Sequence, residues 1–76
     1  MPTLVVLGNV KIQMFGGDHN PPHFHVVTPD GEAVVQLSSL LVFRGGVRPR
    51  ELAVALAWAR RNLEQLDDEW NRLNSR

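Results

Sequence analysis

Two periods of apolar and polar residues divide the chain. Up to residue 43, short apolar runs alternate with turn residues, and after residue 49 apolar positions recur at helical spacing. Thr3 to Leu7 is a β-branched, apolar run. Gly8-Asn9 interrupts it, and Val10 to Phe15 follows, with Val10, Ile12 and Met14 alternating with Lys11 and Gln13. Two such runs joined by Gly-Asn predict a tight hairpin. Gly16-Gly17 then opens a loop. His23 to Thr28 reads as a third strand and Glu32 to Leu37 as a fourth. Pro29-Asp30-Gly31 between them reads as a three-residue loop with a bulge at Gly31. That loop would pair Thr28 with Glu32, His25 with Val35 and His23 with Leu37. Ser38-Ser39 is a turn, Leu40 to Phe43 a short fifth strand, and Arg44-Gly45-Gly46 the end of the sheet region.

Pro49 suits the first position of a helix. From there to about Leu73, Leu52, Leu56, Ala59, Leu63, Leu66, Trp70 and Leu73 are spaced 4, 3, 4, 3, 4, 3, which predicts one helix with an apolar heptad face. Asp68 with Arg72, and Arg60 with Glu64, are expected as exposed i,i+4 pairs. Such a helix is roughly 37 Å long, whereas strands of this size span about 17 to 20 Å. It therefore either forms the second layer of a two-layer core or offers its overhang, with Leu66, Trp70 and Leu73, to another chain. The expected fold is α+β: one domain over residues 1–76, with a small, mostly antiparallel sheet of four or five strands over about residues 3–43. One long C-terminal helix over about residues 49–73 packs on one face.

Composition narrows the picture. Seventy-six residues suffice for one domain of thin stability, and no cysteine is present to staple it. Met1-Pro2-Thr3 reads as a native start with no signal peptide, and no apolar run approaches membrane-spanning length. A soluble, cytoplasmic protein is expected. Eight basic residues balance eight acidic ones, which argues against charge-driven binding to bulk nucleic acid or to membranes. Arg44, Arg48 and Arg50 nevertheless cluster, and are the candidates for holding an anion.

The chemistry is concentrated in Asp18-His19-Asn20-Pro21-Pro22-His23-Phe24-His25, which holds all three histidines of the chain. On a strand His23 and His25 point to one side. His19 could fold back as a third ligand, and Asp18 could bind directly or orient an imidazole. Three ligands with an open position make a catalytic zinc arrangement. Without metal, the candidates His23, His25, His19 and Asp18 could act as acid and base. Pro21-Pro22 stiffens the approach to the strand. A structural reading stands beside these. In the expected register the two histidines share a face with Val27, Ala33, Val35 and Leu37, as core residues would, and Thr28, Glu32 and Gln36 lie on the more solvated face. No cofactor is required by any motif, although His19, His23 and His25 leave room for a divalent ion such as zinc. No cysteine nucleophile exists, and Gly45-Gly46 lacks the lysine and hydroxyl of a phosphate loop.

The histidine run, Gly31-Glu32-Ala33, and Arg48-Pro49-Arg50 leading into Ala57-Trp58-Ala59 together resemble a family of short bacterial proteins, domain-of-unknown-function family 4160. The resemblance spans nearly the whole chain. Other members carry an acidic or aromatic residue after the last histidine, where this chain has Val26-Val27. The resemblance implies a bacterial source and a complete chain, and brings no activity. It also implies pairing with other small proteins, as in toxin–antitoxin modules. Two functions are therefore expected to compete. One is a binding or regulatory module acting through a protein partner or a second copy. The other is a histidine-based hydrolase or nuclease, with or without metal, whose arginines hold a phosphate. A surface shared by histidines and arginines favours the enzyme, and histidines packed inside favour the module.

Overall fold

Residues 3–17 and 20–74 are described by the computed structural model. Gly8, at φ 64°, turns the chain between β1 (Thr3–Leu7) and β2 (Val10–Gln13) and pairs Leu7 with Val10. The hairpin expected from Gly8-Asn9 thus forms. β3 (His23–Thr28), β4 (Gly31–Gln36) and β5 (Val42–Gly46) follow. The five strands lie in chain order, and every neighbouring pair is antiparallel. With α1 (Pro49–Arg61) and α2 (Leu63–Asn74), the fold is α+β.

Alternation sets the core. Val10, Ile12, Met14, Phe24, Val26, Ala33 and Val35 are buried together with Ala55, Ala59, Leu66 and Trp70, and α1 packs on β2 and β3. The hairpin tip is tied to the helix start by Glu51. Asn9 Nδ2 donates to Glu51 Oε2 (2.9 Å) and the Arg48 backbone N–H to Oε1 (3.2 Å), so one buried carboxylate serves both.

Three expectations are corrected. The β3–β4 loop has two residues, Pro29-Asp30, because Gly31 pairs with Thr28, His25 with Val34 and His23 with Gln36. Gly31 is needed for close approach and makes no bulge there, since a Cβ would lie 2.9 Å from the Gly46 carbonyl oxygen. One residue of slip exchanges the faces of β4 against β3. Glu32, Val34 and Gln36 therefore share the histidine face, and Ala33, Val35 and Thr28 lie on the core side. Next, β5 runs on through Arg44-Gly45-Gly46, with Phe43 as an extra, bulged residue between the Val35–Val42 and Val34–Arg44 pairs. Gly45 has φ 71°, and a Cβ there would lie 2.2 Å from the Glu32 carbonyl oxygen. Glycine at this position lets the strand continue where it was expected to stop.

The third correction is the helix, which breaks at Asn62. Its side chain donates to the Trp58 carbonyl (2.8 Å), its N–H to Ala59 O (3.0 Å), and its carbonyl accepts from Leu66 N (3.0 Å). Asparagine competes in this way with helical backbone bonding. The break lets α2 reach the loop after β2. Gly17 N–H donates to Asn74 Oδ1 (2.9 Å), and Gly16 lies against Leu73. The expected overhang is gone: Leu66 and Trp70 are buried and Leu73 is half-buried. Ala55 replaces the exposed Leu63 in the buried stripe. Arg72 pairs with Glu69 instead of Asp68, and among the described residues no ion pair joins Arg60 to Glu64. No helix among the described residues is long and apolar enough to cross a membrane.

Candidate functional site

β3 places His23 and His25 on one side of the sheet, and the neighbouring chain gives them different roles. His23 is buried. Its Nδ1–H donates to the Pro21 carbonyl (2.8 Å), and its ring centroid lies 5.2 Å from that of Trp70 and 5.9 Å from that of Phe43. Leu37 N–H donates to the Pro22 carbonyl (2.9 Å), so both prolines of the stiff loop also serve as acceptors. The Asn20–Pro21 peptide bond is cis. These contacts make His23 largely a packing residue between strand, helix and loop.

His25 lies on the side of the sheet away from the main core and is mostly enclosed, with Nε2 fully buried. Its side chain retains 12% exposure, and its Nδ1–H donates to Glu32 Oε2 at 2.6 Å. A carboxylate can only accept, so the bond fixes the proton on Nδ1 and makes Nε2 the basic nitrogen of the neutral ring. Phe15 meets the ring edge-on at 4.9 Å and His23 lies 5.4 Å away. The cross-strand pairs Thr3–Gln13, Gln13–His25, His25–Val34 and Val34–Arg44 form one row across all five strands. Glu32 sits two residues from Val34, diagonal to both His25 and Arg44. His25, Glu32, Val34, Arg44 and Gly45 line an open concavity of about 290 Å³.

Of the residues expected to form a site, the structure brings together His25 and Arg44. His23 adjoins His25 from the packed side. Arg48 instead pairs with Asp30 (3.4 Å) on the surface, and Arg50 lies exposed in the first turn of α1. His19 and Asp18 lie outside the described residues. Among the described residues, no group of three or more histidines, aspartates and glutamates is disposed to hold a metal ion. The test set by the sequence is thus divided: His25 shares a surface with one arginine, and His23 packs inside.

Glu32, Val34 and Gly45 were missed. A two-residue reading of the Pro29-Asp30 turn would have put Glu32 and Val34 on the histidine face. Nothing in the sequence marks Gly45 as a lining residue. Trp70 and Phe43, the aromatic neighbours of His23, were likewise invisible, because they come from a broken helix and a bulged strand.

Compared with known families, the chain matches the profile described as Domain of unknown function (DUF4160) over residues 9–71. No curated protein and no solved structure matches it.

Proposed function

The chain belongs to the DUF4160 family, a domain of unknown function, and from its own surface we propose that it is a small binding or regulatory module that docks a protein partner along the outer edge of β5. The observation that carries this reading is the exposure of Leu41 (67%) and Phe43 (50%) on and beside an outermost strand. An outer strand has a row of backbone donors and acceptors without a neighbouring strand, and an extended segment of a partner can add to it. The bulge at Phe43 sets an aromatic side chain where such a segment would need an anchor. The pairing with other small proteins that the family resemblance implies, in the manner of toxin–antitoxin modules, agrees with a partner of modest size.

The proposal is tested by placing a photo-cross-linking residue at position 43, with position 54 on α1 as the control. A discrete partner should cross-link from position 43 alone. The purified partner should bind the Phe43→Lys variant about tenfold or more weakly. Equal binding by wild type, Phe43→Lys and Leu41→Lys, all folded by circular dichroism, would refute the docking edge. Sedimentation at micromolar concentration distinguishes a different protein from a second copy of the chain.

A further inference from the structure

The concavity beside β5 contains chemistry that a docking edge does not use. Arg44 lines it, and among the described residues Arg44 has no ion-pair partner, although Glu32 sits diagonally across the same hollow. Glu32 directs one carboxylate oxygen to the His25 ring instead. The hollow therefore has an open guanidinium on one wall and an imidazole–carboxylate pair on the other. At about 290 Å³ it is at the small end of ligand sites, sized for an ion or a small molecule. Gly45 lines it with backbone alone.

We propose that this concavity is a site for a small phosphate-type oxyanion, gripped by Arg44 with the His25 ring alongside. A guanidinium presents a planar fork of donors that matches two oxygens of such an anion, and charge-assisted bonds of this kind are the strong ones. Among the described residues the one carboxylate lining the hollow, Glu32, is engaged by an imidazole N–H, which draws part of its charge away from the ligand. Arg48 and Arg50 take no part: the first is held by Asp30, and neither lines the hollow.

The test is an NMR titration of the whole chain with inorganic phosphate, against sodium chloride at matched ionic strength. Phosphate should produce saturable shifts at the Arg44 side chain, the amides of Val34 and Gly45, and the His25 ring. Arg44→Gln should weaken binding about tenfold or more, and Arg48→Gln should leave it unchanged. Glu32→Gln should tighten binding several-fold. That change removes the negative wall, yet a glutamine oxygen still accepts from His25 Nδ1–H, so a purely structural role for Glu32 would not give this result. A parallel titration with glycerol phosphate identifies the source. Tighter binding than phosphate assigns the site to a phosphorylated small molecule, and equal binding assigns it to the free ion. Shifts reproduced by chloride, or Arg44→Gln binding as well as wild type, would overturn the proposal.

Discussion

Three glycine-to-alanine changes, at Gly8 in the β1–β2 turn and at Gly45 and Gly46 in β5, separate left-handed strain from steric clash. At Gly46 a Cβ meets nothing within 4 Å and φ is not positive. Gly46→Ala should therefore stay within about 0.5 kcal/mol of wild type. At Gly8 the space is equally open but φ is 64°, so Gly8→Ala should cost about 1 to 2 kcal/mol in left-handed strain. Gly45 combines φ 71° with a Cβ position 2.2 Å from the Glu32 carbonyl oxygen. The strain recurs there, and relieving the clash means parting β4 from β5 at the Glu32–Gly46 and Ala33–Gly45 pairs. At about 1 kcal/mol for each of two hydrogen bonds lost, Gly45→Ala should cost about 3 to 4 kcal/mol. A domain of 76 residues has about 4 to 11 kcal/mol in all, so the loss takes roughly a third of that stability at the upper end of the range and nearly all of it at the lower end. Urea denaturation followed by circular dichroism gives the three values, with an unchanged slope confirming a common unfolded state. A Gly45→Ala variant no less stable than Gly8→Ala would refute the claim that close packing of β5 on β4 requires glycine.

The other predictions concern α2. Trp70→Ala should cost about 3 to 5 kcal/mol, because Trp70 is buried in the core beside His23. A thermal melt should show it largely unfolded near body temperature, and a loss of under about 1 kcal/mol would mean that α2 is not part of the core. Glu69 has its carboxyl pKa lowered from 4.5, first by the hydrogen bond from Arg72 and then by that residue's charge. A lowered folded-state pKa stabilises above the unfolded value and is lost as pH falls through the folded one. The midpoint difference between wild type and Glu69→Gln should thus be present at neutral pH, shrink below pH 4.5, and be small throughout because Arg72 is exposed. An equal difference in neutral and strongly acidic buffer would contradict the pairing.

Much of the fold was legible because local signals agreed with it. Gly8-Asn9 specified its hairpin, the alternation of Val10, Ile12 and Met14 specified the buried side of β2, and Pro49 marked the start of α1. The failures have physical causes. A Pro-Asp-Gly sequence suits both a two-residue and a three-residue connection, and the choice is made by Gly31 approaching Gly46, a contact with a distant strand. Gly45 looked like a strand breaker because its function is to accommodate the Glu32 carbonyl, which lies thirteen residues earlier. The heptad ran through Asn62 because periodicity reports which residues are apolar and is blind to one side chain capturing a backbone carbonyl. Within the site, the histidine run was visible as chemistry. Glu32 was assigned to the wrong face by the one-residue error.

Site and register are closely joined. With a three-residue loop, Glu32 would lie opposite Thr28 and turn toward the core side, which would bury a carboxylate with no imidazole to meet it. Such burial is costly unless the charge is paired. With two residues, Glu32 takes the face of His25, and the same shift puts Val34 opposite both His25 and Arg44. The short Pro29-Asp30 turn thus aligns the histidine with a strand it never touches in sequence. Arg48 on Asp30 (3.4 Å) adds an exposed contact worth little by itself, so the alignment rests on the sheet. His23, buried against Trp70, then fixes the start of β3 from one end while the turn fixes the other. The two histidines that looked like a pair of ligands divide the work. One anchors the strand, and the other presents its ring to the concavity.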